Sequence, residues 1–175
     1  MSEDATILVV DDVPQNVRLL EGVLVSQGYD VVSANDGNGA LELVASAKPD
    51  LVLLDVMMPP PDGYEVCRRL REVKETAVLP VIMVTASTSE RTEAIRAGAD
   101  DLIAKPFNHD ELLARVRSLL RIKRYLEQLG GLRRVARAES NARRPGRSPG
   151  AGARAGPEAT AVPLSAARRR DRVSG

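Results

Sequence analysis

The stretch DLVLLDVMMPPPDG, residues 50–63, places four consecutive apolar residues directly before a carboxylate. Leu51–Leu54 has the length and composition of a strand that is buried on both faces. Asp55 follows it, and then come Met57, Met58, three prolines and an Asp-Gly turn. A buried strand that ends in an acidic side chain is typical of a site at the edge of a parallel sheet, where ligands bind beyond the carboxyl ends of the strands.

Short apolar runs alternate with helical patterns throughout residues 1–129. We predict strands at Thr6–Val10, Asp30–Ser33, Leu51–Leu54, Val81–Val84 and Asp101–Ala104. We predict helices at Pro14–Gln27, Gly39–Ala47, Tyr64–Glu75, Glu90–Ala97 and Asn108–Leu129. A fivefold repetition of strand and helix predicts a parallel sheet with helices on both faces. The predicted fold class is therefore an open, doubly wound α/β fold of five strands, a (βα)5 arrangement.

The charge of the chain is unevenly distributed. Residues 1–129 carry 14 Lys and Arg against 21 Asp and Glu, whereas residues 130–175 carry 11 Arg, no Lys and 3 Asp and Glu. The second segment is also rich in Ala, Gly and Pro and lacks Ile, Phe and Tyr. Such a composition cannot bury enough apolar area to offset the entropy lost on ordering. We therefore predict a disordered tail over residues 130–175.

The remaining bulk features favour a cytoplasmic protein. Cys67 is the single cysteine of the 175 residues, so no intramolecular disulfide can form and a reducing compartment is expected. The N-terminus lacks the basic-then-apolar pattern of a signal peptide. No apolar run approaches the roughly 20 residues that a membrane-spanning helix needs.

Polar side chains converge on the carboxyl edge of the predicted sheet. Asp11 and Asp12 follow the first strand and Asp55 the third, while Thr85 follows the fourth and Lys105 the fifth. Three clustered carboxylates repel one another unless a cation intervenes, and oxygen ligands select Mg²⁺ or a similar ion. A carboxylate is also a nucleophile toward phosphorus, with a lysine and a hydroxyl to stabilise the transferred oxygens. The set predicts a phosphoryl-accepting site.

Four separated segments then carry a resemblance to a known family. They read VDDVPQN (10–16), DLVLLDVMMPPPDGYEVCRRLR (50–71), PVIMVTA (80–86) and GADDLIAKPFNHDELLARVRSLL (98–120). Together they resemble the receiver domain of two-component response regulators over about residues 5–121. The chain is similar to receivers that precede cyclase or phosphodiesterase output domains. This resemblance implies a flavodoxin-like fold with strand order 2-1-3-4-5.

The resemblance also implies a role for each residue of the edge. Asp55 would be the phosphoacceptor, phosphorylated by a partner histidine kinase or phosphotransfer protein, and Mg²⁺ would be the cofactor. The implied metal ligands are Asp11, Asp12, Asp55 and the backbone carbonyl of Met57. The implied phosphoryl-stabilising and switch residues are Thr85 and Lys105, with Pro106 following a cis peptide bond, which proline makes less costly.

Three departures from the family pattern are visible. Leu102 stands where an aromatic residue often takes part in the switch. Met57 and Ser87 stand where acidic or amide side chains can position an attacking water, so we expect slow self-hydrolysis. The segment Thr85–Gly98 is about two residues shorter than is common, and a shortened fourth helix or loop is expected.

The predicted domain organisation has three parts. A receiver domain covers residues 1–121, an extension of the last helix covers 122–129, and the tail covers 130–175. The extension carries a short seam at 3-4-3 spacing, which ends at Gly130 and Gly131 and suggests a weak dimer. Its members are Leu119, Ile122, Leu126 and Leu129.

The sequence leaves several functions open. The first is a signalling protein rather than an enzyme, with at most self-phosphorylation and self-dephosphorylation, that signals by protein contact without a recognisable output domain. The second is a localisation module whose basic tail binds nucleic acid or membrane, although no pattern for specific DNA binding follows residue 129. The chain would alternatively be a truncated or frame-shifted piece of a longer cyclase-type regulator. An aspartate-nucleophile phosphatase is disfavoured, because Met57 replaces the acid expected two residues after the nucleophile.

Overall fold

The computed structural model describes residues 4–142, in which five strands and five α-helices alternate. The strands are β1 (Thr6–Val10), β2 (Asp30–Ala34), β3 (Leu51–Asp55), β4 (Val81–Thr85) and β5 (Asp101–Ala104). The α-helices are α1 (Pro14–Val25), α2 (Gly37–Ala47), α3 (Gly63–Glu72), α4 (Arg91–Ala97) and α5 (His109–Ala142), and a 3-10 turn at Thr88–Glu90 precedes α4. Within these residues no helix is both long and apolar enough to cross a bilayer.

The strands form one parallel sheet in the order β2-β1-β3-β4-β5, which confirms the predicted flavodoxin-like topology. The register aligns the carboxyl ends of the central strands. Val10 pairs with Leu54, Asp55 pairs with Val84, and Thr85 pairs with Ala104. The residues that end or follow β1, β3, β4 and β5 therefore lie along one edge.

Two apolar clusters cover the two faces of the sheet. One packs α2, α3 and α4 against one set of alternating strand residues, and the other packs α1 and α5 against the intervening set. In β3, for example, Leu54 belongs to the first cluster and Leu53 to the second, as the period of two requires. Continuous burial on both faces explains why β3 and β4 read as uninterrupted apolar runs.

Local capping sets where the helices begin. The side chain of Asp36 accepts a hydrogen bond from the Gly39 backbone N–H (2.7 Å), so α2 begins at Gly37 rather than at the predicted Gly39. The side chain of Asp62 likewise caps α3 by accepting from the Glu65 N–H (2.9 Å). Helix α4 has seven residues and is the shortest α-helix among residues 4–142.

The predicted end of α5 at Leu129 is wrong, because the helix continues through Gly130 and Gly131 to Ala142. Each glycine costs about 1 kcal/mol relative to alanine in a helix interior. The strong helix formers on either side, from Leu126 to Leu129 and from Leu132 to Arg134, offset that cost. Residues 130–142 of the predicted disordered tail are therefore helical, and its remainder, residues 143–175, lies outside the described residues.

Candidate functional site

Three carboxylates meet at the carboxyl edge of the sheet. Asp11 and Asp12 directly follow β1, and Asp55 is the last residue of β3. One oxygen from each of the three lies within 4.8 Å of the other two. Asp11 and Asp55 are only 2% and 5% exposed, whereas Asp12 faces solvent. The sheet thus brings together acidic side chains that water screens poorly, which is an unfavourable arrangement without a cation.

Lys105 supplies a positive charge to this cluster. Its Nζ lies 3.1 Å from Asp11 Oδ2 and 3.1 Å from Asp55 Oδ1, so one ammonium bridges two carboxylates. The backbone positions it, because the Lys105 N–H donates to the Thr85 carbonyl (2.7 Å) where β4 and β5 end. The peptide bond from Lys105 to Pro106 is cis.

The environment shifts the pKa of Asp55 and of Lys105 upward. Burial raises the pKa of Asp55, the Asp11 carboxylate raises it further, and the Lys105 ammonium only partly opposes them. Burial by itself would lower the pKa of Lys105, but the bonds and charges of Asp11 and Asp55 outweigh it and leave that pKa raised. Asp55 is thus an ionisable group whose charge the fold only partly compensates, which is common at functional sites.

The chemistry of the donor set fits Mg²⁺. All the side-chain ligands at hand are carboxylate oxygens, which hard divalent cations prefer, and three carboxylates against one ammonium leave excess negative charge. The exposure of Asp12 leaves the cluster open on one side, as a cation that keeps several waters requires. The backbone carbonyl of Met57 lies on the loop directly after β3, and its part in metal binding stays a prediction.

Asn16 is a residue of this site to which the sequence analysis gave no role. Its Nδ2 donates to Asp11 Oδ2 (3.0 Å), and the Val13 N–H donates to Asp11 Oδ1 (2.9 Å). Asp11 is therefore held by α1 as well as by Lys105. The sequence does place Asn16 in the first turn of α1, five residues after Asp11, and this position could have indicated its contact with Asp11.

The hydroxyl of Thr85 is fully buried and is engaged within its own loop. Thr85 Oγ1 lies 3.2 Å from both the Ser87 N–H, from which it accepts, and the Ser87 carbonyl, to which it donates. Ser87 Oγ in turn accepts from the Ser89 N–H (3.2 Å) and caps the 3-10 turn before α4. The predicted switch hydroxyl is thus connected to the start of α4 through one serine.

The loop after Asp55 is held in a tight turn. The N–H groups of Met58 and Gly63 both bond to the Val56 carbonyl, at 3.2 and 3.1 Å. A Cβ on Gly63 would lie 2.3 Å from the Asp55 carbonyl oxygen, so only glycine allows this approach. Pro60 and Pro61 are joined by a second cis peptide bond, which the sequence analysis did not predict. Met57, by contrast, points outward and is 64% exposed.

Two other residues singled out from the sequence lie away from the acidic cluster. Leu102 is buried beside Met83 in the apolar cluster under α3 and α4. Leu119, the first member of the predicted seam, packs against the apolar cluster under α1 and α5. Leu119 is only partly buried there, and the dimer seam that includes it stays a prediction.

Comparison with known proteins gives concordant matches. The sequence profile described as "Response regulator receiver domain" matches residues 7–117. The chain is 43% identical over 152 residues to response regulator PleD of Caulobacter vibrioides, covering 86% of this chain and 32% of that protein. It is 52% identical over 117 residues to response regulator MprA of Mycolicibacterium vanbaalenii, covering 66% and 50%. The chain thus spans about a third to a half of the length of these relatives.

Solved structures match over the same region. The receiver domain of the Francisella response regulator 1452 superposes with a TM-score of 0.63 at 33% identity, covering 67% of this chain and 98% of that one. The chemotaxis protein CheY4 of Vibrio cholerae superposes with a TM-score of 0.63 at 30% identity, covering 66% and 98%. The matches in sequence and in structure therefore cover the same folded region of the chain.

Proposed function

The chain belongs to the response regulator receiver domain family, and from this premise we propose that Asp55 accepts a phosphoryl group from a partner histidine kinase or phosphotransfer protein. Receiver domains are signalling modules, and this chain carries that module in residues 7–117. The relatives extend well beyond the region matched here, so their complete activities are not transferred to this chain.

The proposed step is an in-line displacement at phosphorus. A carboxylate oxygen of Asp55 attacks the phosphorus of the donor phosphohistidine, a P–O bond forms, and the P–N bond breaks with its electron pair returning to the imidazole. The transferred group carries negative charge, and positive groups placed before the reaction stabilise it most effectively. Lys105 is such a group, since its ammonium already contacts the attacking carboxylate.

The observation that carries the proposal is the bridging position of Lys105 between Asp11 and Asp55. Its 3.1 Å contacts hold the ammonium beside the oxygen that would attack and beside the carboxylates that would bind a metal. Burial limits the water that competes for Asp55, and a cleft of about 260 Å³ lies beside the cluster, lined by Asp11, Asn16 and Lys105. A structural ion pair needs neither the third carboxylate nor this cleft.

Asp11, Asp12, Asp55 and the Met57 carbonyl would hold Mg²⁺. When bound, the ion neutralises carboxylates and phosphoryl oxygens, which is its usual part in phosphoryl transfer. The protein's own contribution is to fix the carboxylates: Asn16 and the Val13 N–H orient Asp11, and Gly63 lets the loop after Asp55 close.

The output is proposed to run through Thr85 and Ser87. For Thr85 Oγ1 to donate to a phosphoryl oxygen, it must give up the hydrogen bond that it donates to the Ser87 carbonyl, because a hydroxyl carries a single proton. Ser87 caps the 3-10 turn, so this release would loosen the start of α4. Because Leu102 has no ring or hydroxyl to report the change, the surface around α4 is the expected site of contact with a downstream protein.

Several finer expectations accompany this proposal. Slow self-hydrolysis is expected because Met57 is outward-facing and Ser87 is engaged with Ser89, so neither offers an acid or amide to an attacking water. The same Met57 disfavours the phosphatase alternative. The cytoplasmic location stays a prediction, as do binding of nucleic acid or membrane by the basic tail and self-association through α5.

The test is the intact mass of the full chain after incubation with acetyl phosphate and Mg²⁺. We expect the unaltered protein to gain one phosphoryl group and Asp55→Asn to gain none. Asp30→Asn is the matched control, since it removes an exposed carboxylate at the opposite edge of the sheet and should leave labelling unchanged. The proposal would be contradicted if Asp55→Asn gained a phosphoryl group. It would also be contradicted if the unaltered protein were phosphorylated as fast without any divalent cation as with Mg²⁺.

A further inference from the structure

A groove of about 780 Å³ lies at the amino edge of the sheet, at the other end of the domain from the acidic cluster. The second half of α2 and the end of α3 form two of its walls, and the loop between α3 and β4 forms a third. The fourth wall is α5, which lines the groove with Lys123 and Glu127 where the helix leaves the domain. We call this cavity the amino-edge groove.

The lining of the groove is mainly apolar, and part of it is exposed. Val44, Leu70 and Leu79 are buried, whereas Val73 and Val78 are 49% and 79% exposed. Covering apolar side chains is favourable by about 25 cal/mol for each Å² removed from water. Concave surfaces of this kind, with apolar walls and a few polar groups, are the usual form of a binding site. The amino-edge groove is therefore suited to receive apolar side chains.

Charges of both signs stand on different walls of the groove. Lys48 directly follows α2, and Glu75 lies in the loop after α3. Both side chains are exposed, and neither forms a salt bridge within residues 4–142. A segment with an acidic residue on one side of its apolar residues and a basic residue on the other would complement this arrangement.

The chain beyond α5 offers few large apolar residues. From position 143 to 175, valine occurs at 162 and 173 and leucine at 164, and isoleucine, methionine and aromatic residues do not occur. Pro163 stands between Val162 and Leu164, and proline disfavours helical geometry in the residue before it. In an extended chain, residues two apart point to the same side. Val162 and Leu164 would therefore enter one apolar groove together.

Charges flank this apolar pair in the order that the groove requires. Glu158 lies four residues before Val162, and Arg168 lies four residues after Leu164. We call residues 158–170 the Val-Pro-Leu segment. Its apolar centre matches the lining of the groove, and its two ends carry the charges opposite to those of the two walls.

The Val-Pro-Leu segment is also within reach of the groove. Helix α5 ends at Ala142, about 28 Å past Lys123, which lines the groove. Nineteen residues, 143–161, lie between Ala142 and Val162. A chain of that length spans at most about 65 Å when extended and about 25 Å on average as a coil. A tether binds best when its average span matches the distance to be covered, as it does here.

We propose that the Val-Pro-Leu segment binds in the amino-edge groove of its own chain, with Val162 and Leu164 against the apolar lining. Glu158 then faces Lys48, and the arginines that begin at Arg168 face Glu75. The occupant is the chain's own segment because two apolar anchors bind weakly from free solution, whereas a matched tether supplies an effective concentration on the order of millimolar. The proposal does not rest on phosphorylation of Asp55, and its test uses no phosphoryl donor.

Disulfide crosslinking in the full chain tests the contact. We expect Val78→Cys combined with Ser165→Cys to form a disulfide within one chain under mild oxidation, read by intact mass and by mobility on a non-reducing gel. Adding Leu164→Asp should slow the reaction about tenfold or more, because it removes an apolar anchor. Ile95→Cys combined with Ser165→Cys is the matched control, since Ile95 is exposed on α4, and it should react slowly. The native Cys67 stays in place, since it is fully buried.

Methyl NMR spectra of the full chain without added cysteines test the same contact independently. Leu164→Asp should shift the methyl resonances of Val44, Leu70 and Leu79, which line the groove. Val173→Asp is the matched control, because it places the same charge beyond the Val-Pro-Leu segment and should leave these resonances unchanged. The shifts should be the same at about 20 and about 200 µM protein, as binding within one chain requires.

Three outcomes would overturn the proposal. The first is a crosslinking rate at residue 78 that Leu164→Asp leaves unchanged, together with unshifted groove methyl resonances. The second is a disulfide that joins two chains and disappears on dilution, which would assign the groove to the segment of a second copy. The third is slowing by Leu129→Glu as large as that by Leu164→Asp, because Leu129 is turned about 160° from Glu127 and would place the segment on the other side of α5.

Discussion

Two lysines in this molecule each bridge a pair of carboxylates, one at either end of the sheet, and only one pair has the character of a reactive site. Lys105 contacts Asp11 and Asp55 at the carboxyl edge, and Lys123 contacts Asp50 and Glu127 at the amino edge. By ion pairing alone the two arrangements look alike. They differ in the burial and charge of the groups around each lysine.

At the amino edge both oxygens of the Asp50 carboxylate have a hydrogen-bond partner. One oxygen of Asp50 faces Lys123 and the other accepts the Thr6 N–H (2.9 Å), while Glu127 is largely in solvent. At the carboxyl edge a third carboxylate, Asp12, joins two that are almost fully buried, and the pKa of Asp55 is raised. Excess negative charge in a buried cluster is common at functional sites and fits the proposed cation and phosphoryl group. At the amino edge, by contrast, the half-buried pair of Asp50 and Lys123 is neutral and fastens α5 to β3.

The largest expected difference between the two lysines is in reactivity. We expect Lys105→Ala to slow phosphorylation of Asp55 about 10- to 100-fold, because it removes the positive charge beside the attacking oxygen and the incoming phosphoryl group. Lys123→Ala, which removes an equivalent ion pair at the other end, should leave the rate unchanged. Initial rates with acetyl phosphate and Mg²⁺, read by intact mass, make the comparison. Equal slowing in both variants would mean that the lysines act through general stability.

The second difference is the response to Mg²⁺. A ligand that binds only the folded protein stabilises it by about 1.4 kcal/mol at a tenfold excess over its dissociation constant. We expect that gain in urea unfolding of the unaltered protein and of Asp50→Asn, and its loss in Asp12→Asn, which removes the exposed carboxylate of the cluster. A gain that persists in Asp12→Asn would show that the cation binds elsewhere.

The same substitution should have opposite effects on stability at the two ends. Asp55→Asn removes a buried carboxylate whose raised pKa shows that its charged form is disfavoured in the folded state, so the free energy of unfolding without Mg²⁺ should rise by about 1 kcal/mol. Asp50→Asn removes the charge that Lys123 faces, and the free energy of unfolding should fall by about 1 kcal/mol. Urea unfolding at neutral pH measures both. A loss of stability in Asp55→Asn would mean that Lys105 fully compensates the cluster.

Much of this contrast could be predicted from the sequence. Buried strands can be recognised in a sequence as apolar runs, and parallel pairing brings the residues that end or follow these strands to one edge of the sheet. The sequence alone therefore predicts that five residues lie at that edge: Asp11, Asp12, Asp55, Thr85 and Lys105. The ion pair of Asp50 and Lys123 could not, because 73 residues separate its members and no motif contains them. Its register depends on how α5 packs across the sheet.

The limits of α5 were mispredicted for a related reason. Two consecutive glycines predict a helix end from local propensity, but propensity differences of about 1 kcal/mol per residue are small beside the cooperative gain of a long helix. Leu119 has the right spacing for both the core and a coiled coil, and only the structure shows that it packs against the domain.

The smallest expected effect concerns Glu127, the exposed member of the amino-edge pair. Its side chain is 62% exposed, and ion pairs in such positions contribute little because water screens them and the side chain loses entropy. We expect Glu127→Gln to lower the free energy of unfolding by less than about 0.5 kcal/mol. The effect should be additive with that of Ile95→Glu, a distant surface change, in urea unfolding. A cost as large as that of Asp50→Asn would show that Lys123 needs both carboxylates to hold α5 on the domain. The amino edge would then be a coupled cluster like the one around Lys105, and balance of charge would no longer distinguish the two ends of the sheet.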